Sequence, residues 1–149
     1  MTPASHIEVP ESGRCAFCSY LAGVWPYTTL WRRPLAAVLV TREQRGVPHV
    51  LVIPTRHLET ILDLTDAEAA AVMEEMRKVA RLIDRAYRRP GIAIWQNNGS
   101  PANQAIPHMH FHVAGTLEGG GTEWGPVIEI SISETDAIAT RLREAAGEP

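Results

Sequence analysis

A chain of 149 residues with a formal net charge of −3, 45% hydrophobic and 21% charged residues is long enough to bury a core as one domain and is balanced as globular chains are. The mild acidity argues against the basic stripe of a nucleic-acid-binding module; all but one of the 14 basic residues are Arg, which is a compositional bias rather than a phosphate signal. No apolar run approaches a membrane span, and Met1 to Glu8 carry neither the charged nor the apolar region of a signal peptide, so a cytoplasmic chain with no membrane and no nucleic-acid partner is expected.

Residues 1–13, with two prolines and a glycine, read as a flexible lead-in. Both cysteines follow in Cys15-Ala16-Phe17-Cys18. In a reducing compartment such a pair is half a zinc site or a redox dithiol; the redox form needs a following helix, and the Pro- and Gly-flanked surroundings predict none. Tyr27 to Arg32 reads as a short strand. The apolar runs Leu35–Val40 and Val47–Ile53, joined by the polar, Gly-containing Thr41–Gly46, predict an antiparallel hairpin that Pro54 ends.

A loop through His57 leads to Thr65-Asp66-Ala67-Glu68, a capping box in which Thr and Glu satisfy free helix-start N–H groups. Val72, Met76, Val79, Ile83 and Tyr87 then recur every three or four residues, the apolar stripe of a core-packed helix. The 3.6-residue repeat makes it about five to six turns. Arg88-Arg89 complement its negative end, and Pro90-Gly91 stop it. Ile92–Gln96 is a further strand, and Asn97–Gln104 a loop by composition. Beyond the next strand, Thr116–Gly125 is Gly-rich, Val127–Ile132 is expected as a last strand, and Ser133-Glu134-Thr135-Asp136 is expected to cap a terminal helix that buries Ile138 and Leu142. No repeat and no second domain are evident.

The chemistry concentrates in Ile106-Pro107-His108-Met109-His110-Phe111-His112-Val113-Ala114, which holds three of the six histidines. As an extended strand it sets His108, His110 and His112 on one face and Met109, Phe111 and Val113 on the other. Three imidazoles so arranged suit a metal site or an array of acid, base and nucleophile, because imidazole titrates near neutrality and both ring nitrogens are useful. Alternation also puts His49 on one face of its strand with Leu51 and Ile53.

The segment His108-Met109-His110-Phe111-His112-Val113-Ala114 resembles the signature of the histidine triad, or HIT, family, His-φ-His-φ-His-φ-φ with φ apolar. Pro48-His49-Val50-Leu51-Val52-Ile53-Pro54-Thr55-Arg56-His57 resembles the family's second recognisable segment, and Asn97 through Gln104 its phosphate loop. The resemblance covers residues 14–115 and leaves 116–149 as a C-terminal extension ending in a helix. It implies an α+β, HIT-like fold, about five antiparallel strands with one long packed helix and a C-terminal helix, doubled into a homodimer.

It also implies roles. His110 is the expected nucleophile at the α-phosphorus of a purine nucleotide or nucleotide conjugate. A covalent nucleotidyl-imidazole forms and water resolves it, which divides one hard displacement into two easier ones. His112 is expected beside the transferred phosphate, with His49 buttressing it, and Asn97 and Gln104 at the ribose-phosphate or the bridging leaving atom. Cys15, Cys18, His57 and His108 match the ligands of a structural zinc carried by some members. Thr41 stands where many members have a ribose-binding acid, and Ala105 where nucleotide-binding members often have Ser or Thr. The uridylyltransferase branch has Gln in the place of His112, so His112 favours hydrolysis over transfer. Two other readings stay open: a zinc-stabilised nucleotide-binding module with little catalysis, and a hydrolase whose zinc is bound by His108, His110 and His112 themselves.

Overall fold

The computed structural model describes residues 5–147, so the first four positions of the expected lead-in and the last two of the extension lie outside the described residues. A short helix α1 (Ala16–Leu21) opens the fold, followed by β1 (Thr28–Arg32), β2 (Ala36–Val40), β3 (His49–Pro54), the long helix α2 (Asp66–Tyr87), β4 (Ile92–Gln96), β5 (Phe111–Gly115) and α3 (Ile132–Ala145). The five strands form one antiparallel sheet in the order β1-β2-β3-β5-β4. Every residue of β2 and β3 is buried, which is why those strands read as continuous apolar runs rather than alternations.

Each face of the sheet has its own cover. On one, Val38, Val40, Val50, Val52 and Val113 meet Val72, Met76, Val79 and Ile83 of α2 and Ala139 and Leu142 of α3. The capping box starts α2 as expected, with Thr65 and Glu68 bonding reciprocally. On the other face Phe17 of α1 packs on Ala37, Leu39, Leu51 and Ile53. That second face carries the histidines, because β3 alternates His49, Leu51 and Ile53 toward it. Among the described residues no helix is long and apolar enough to cross a membrane.

Four expectations change in detail. The Cys-x-x-Cys segment is helical after all: Cys15 caps α1 and its Sγ accepts the Cys18 N–H. The histidine stretch is a strand only from Phe111; before it Met109 N–H turns aside to the Leu58 carbonyl at 2.8 Å, and His108 N–H bonds Ile106 at 2.8 Å. Val127–Ile132 is not a strand, since only Ile130 there exchanges main-chain and guanidinium bonds with Arg42. The cap of α3 is Ser131, two residues before the expected Ser133, and it forms its capping box with Glu134. The lead-in is also tied down locally, with the Glu8 carbonyl accepting Ser100 N–H at 2.7 Å.

Candidate active site and metal centre

Two clusters share the histidine stretch. The first collects residues from three places. Cys15 and Cys18 come from the start of α1. His57 comes from a loop that Arg56 anchors by bonding both Glu68 carboxylate oxygens, at 3.0 and 2.8 Å, and the Asp63 carbonyl. That guanidinium pulls the Glu68 carboxyl down to about 2. His108 completes the set. Its Nδ1 lies 3.4 Å from Cys15 Sγ and 3.6 Å from Cys18 Sγ, and His57 Nδ1 lies 3.5 Å from Cys18 Sγ; all four donor atoms fall within 4.8 Å of one another. A tetrahedral ion with Zn–S of about 2.3 Å and Zn–N of about 2.0–2.1 Å sets its S and N ligands about 3.5 Å apart, the spacing of these three sulfur–nitrogen pairs, so the donor set suits such an ion. His108 Nε2–H donates to the buried Pro54 carbonyl at 2.9 Å, which leaves the lone pair on Nδ1, the atom that faces the thiols.

The second cluster is His110, His112 and His49. His110 is buried, its Nδ1 is 2.8 Å from the His108 carbonyl and its ring is packed edge-on against Phe17 with centroids 5.0 Å apart. A carbonyl only accepts, so Nδ1 holds the proton and Nε2 carries the lone pair. His112 follows on β5, its ring centroid 5.0 Å from that of His110. The ladder sets Leu51 opposite His112 and His49 opposite Ala114, so His49 and His112 are diagonal neighbours on one face; His49 Nε2 and His112 Nδ1 lie 2.9 Å apart. The Nδ1 atoms of the three triad histidines have separate partners: the thiols, the His108 carbonyl and His49 in turn.

Burial drives the electrostatics. Desolvation pushes His49 down to about 4, helped by Arg45 and His110, and pushes His112 down to about 2, helped by His110, His49 and Arg45. His110 is lowered for the same reason, against the opposing bond to His108. The pair is neutral in the fold while an unfolded His titrates near about 6.5. Its stabilisation is thus complete above about 6.5. As pH falls below that value the unfolded chain takes up protons that the folded pair refuses, so stability drains toward the folded values, at no more than about 1.4 kcal/mol per pH unit for each ring. Urea midpoints of the wild type should fall between about pH 7.5 and about pH 5.5 more steeply than those of a His49→Asn/His112→Asn variant; equal slopes would refute this.

The loop between β4 and β5 turns through a 3-10 helix at Ser100–Ala102. Asn97 Nδ2 donates to the Ala102 carbonyl at 2.8 Å. The buried Gln104 accepts Gly99 N–H at 2.7 Å and donates to the Glu59 and Ile106 carbonyls at 2.7 and 2.9 Å. Both amides therefore shape the loop itself. Thr41 is buried and its hydroxyl accepts Glu43 N–H at 3.1 Å. A cleft of about 820 Å³ between Val9–Gly13 and the outer side of Cys18 and His57 belongs to the metal cluster rather than to His110.

A model of the HIT domain matches residues 23–119. The chain belongs to the HIT family. Protein hit of Bacillus subtilis is 30% identical over 113 residues, 74% of this chain and 78% of that protein. Adenosine 5'-monophosphoramidase hnt1 of Schizosaccharomyces pombe is 28% identical over 131 residues, 86% of this chain and 95% of its own. The crystal structure of a Zn-bound histidine triad family protein from Mycobacterium smegmatis superposes with a TM-score of 0.75 at 22% identity, covering 89% of this HIT chain and 93% of that one.

Some residues that build this HIT site escape a reading of the sequence. Trp95 lies opposite His112 in the ladder and its ring stacks on the imidazole, 4.6 Å between centroids and 5° between planes. Gln44 grips the first residue of β3 where the β2 ladder has ended. It accepts His49 N–H and donates to the His49 carbonyl, both at 2.8 Å, and donates to Thr41 at 2.6 Å. Strand alternation would have found Trp95 once the β4–β5 register was known; nothing in a polar loop marks Gln44.

Proposed function

We propose that this HIT protein hydrolyses nucleotide conjugates at the α-phosphate, with nucleoside phosphoramidates, dinucleoside polyphosphates or related esters as substrates and a nucleotidyl-His110 intermediate. The observation that carries this reading is the fixed tautomer of His110, whose Nδ1–H is tied to the His108 carbonyl at 2.8 Å so that Nε2 keeps its lone pair for attack. Nε2 attacks the phosphorus and the bond to the leaving group breaks, its electron pair leaving with that group. Water then adds to the phosphorus, the P–Nε2 bond breaks and imidazole is restored. His112 hydrogen-bonds the phosphoryl oxygens, where charge develops, and His49 orients it. Asn97 and Gln104 serve the substrate by holding the loop from Asn97 to Gln104 in shape.

Zinc held by Cys15, Cys18, His57 and His108 is structural in this reading, because four protein ligands leave no open position for a substrate. It fastens α1 to the approach of β5. The phosphoramidase name of the S. pombe relative supports the substrate class, and the metal in the M. smegmatis protein supports the zinc. With Thr41 in place of a carboxylate, the usual ribose contact is not inherited. The reducing cytoplasm, where Cys15 and Cys18 stay thiols, suits this site. Incubating the wild type with a panel of nucleoside phosphoramidates and dinucleoside polyphosphates should yield the nucleoside monophosphate; tight binding without product would favour a nucleotide-binding module instead.

A homodimer is part of the proposal. β4 is an edge strand with Ile94 51% exposed, and Met73 of α2 is 61% exposed. Met73, Arg77, Ala80, Arg81 and Asp84 recur on one helix face, and the last four line a groove with Ile92. A second copy covers such an edge by two-fold pairing. Ile94→Lys should therefore give a monomer by light scattering; a wild type that is already monomeric at micromolar concentration would contradict the dimer.

A further inference from the structure

The turn between β2 and β3 lends main-chain atoms to the imidazole pair. His49 Nδ1 lies between a donor, Arg45 N–H at 3.1 Å, and an acceptor, the Glu43 carbonyl at 3.0 Å. A neutral imidazole nitrogen is protonated or it is not, so it satisfies only one of them. If Nδ1 accepts from Arg45, His49 Nε2–H donates across 2.9 Å to His112 Nδ1, and His112 holds its own proton on Nε2, facing the site as a donor. If Nδ1–H donates to Glu43, both rings carry their protons on Nδ1 and His112 faces the site as an acceptor. Burial keeps both rings neutral near pH 7, so the main chain selects between tautomers rather than charges.

Arg45 is itself anchored by a segment beyond the sheet. Its guanidinium donates to the Gly125 and Glu123 carbonyls at 2.5 and 3.3 Å, and its main-chain carbonyl accepts Glu123 N–H at 2.8 Å. At the foot of the same turn Gly46 lies so close to Gly115 that a Cβ would strike the Gly115 carbonyl. The peptide that carries the Arg45 N–H is thus held from both sides.

We propose that Arg45 is a positioning residue: anchored by Glu123 and Gly125, its main-chain N–H holds His49, and through it His112, in the Nε2–H tautomer, so that His112 meets the transferred phosphoryl group as a hydrogen-bond donor. What His112 donates to rests on the hydrolase reading. The tautomer is a property of the chain without substrate, and it is read without turnover.

Long-range 1H–15N correlation spectra of the 15N-labelled full chain at about pH 7.5, above the ordinary imidazole range, distinguish the two protonated nitrogens. The wild type should show Nε2–H at both His49 and His112; Nδ1–H at either overturns the proposal. In Arg45→Ala the population should move toward Nδ1–H, and kcat on an adenosine phosphoramidate should fall on the order of ten-fold with KM changed less than about two-fold. Arg45→Lys, which keeps the charge and still reaches one carbonyl, should recover part of both. Unchanged tautomers in Arg45→Ala overturn the role of the anchor. A wild type that shows the expected tautomers yet hydrolyses nothing would sink the hydrolase reading alone.

Discussion

Replacing His110 with alanine is expected to reduce kcat on a nucleoside phosphoramidate by roughly 10⁴-fold or more, about 5.5 kcal/mol of transition-state stabilisation at 1.36 kcal/mol per decade. Of the triad residues outside the metal cluster, His110 is the one whose Nδ1 proton is held by a main-chain carbonyl while Nε2 keeps a lone pair. Its loss removes the covalent route altogether rather than weakening one contact. The fold should survive, because the bonds that hold β3 to β5 are main-chain bonds and the four metal donors are untouched. Zinc content and the thermal midpoint therefore stay near wild type, and a collapse of either along with activity would mean that His110 is structural.

Chelating the zinc proposed for Cys15, Cys18, His57 and His108 should act in the opposite way, on stability before chemistry. With zinc at 100 times its Kd, binding only to the folded state contributes about 2.7 kcal/mol. For a chain of this size that is a drop of roughly 5–10 °C in Tm on chelation. Cys15→Ser should lose the metal and show the same drop, since Cys15 is both a donor and the cap of α1. Because α1 carries Phe17 against His110, activity should decline as well, but through the looser wall of the site. Metal retained in Cys15→Ser and lost in His110→Ala would transfer the ion from the first cluster to the second.

Much of this architecture is legible in residue pattern alone. The buried runs of β2 and β3, the capped stripe of α2 and the alternation that turns His49 toward His112 all follow from local rules, because each element is decided by its own burial. The errors arise where a tertiary partner overrides local pattern. His108 and His110 alternate as a strand does, yet the ladder begins only at Phe111, since Met109 N–H finds Leu58 instead of a neighbouring strand. Val127–Ile132 has strand composition but bonds to Arg42 through Ile130 rather than joining the sheet, and Ser131 claims its end for a helix. Cys15 and Cys18 are visible as half a site; that their loop is helical depends on Phe17 having a sheet face to cover. The family resemblance divides the triad between two sites, and the geometry gives the physical ground for that division, since each Nδ1 has a different kind of partner.

In the proposed mechanism His110 Nε2 becomes covalently bonded to phosphorus during turnover. Rapid quenching of the wild type with an adenosine phosphoramidate under alkaline conditions, followed by peptide mass spectrometry, tests it directly. A nucleotidyl group is expected on the peptide containing His110, absent in His110→Ala and accumulating when His112 is replaced by Asn. A wild type that turns over substrate with no adduct at any time point, or with the adduct on another residue, would contradict it.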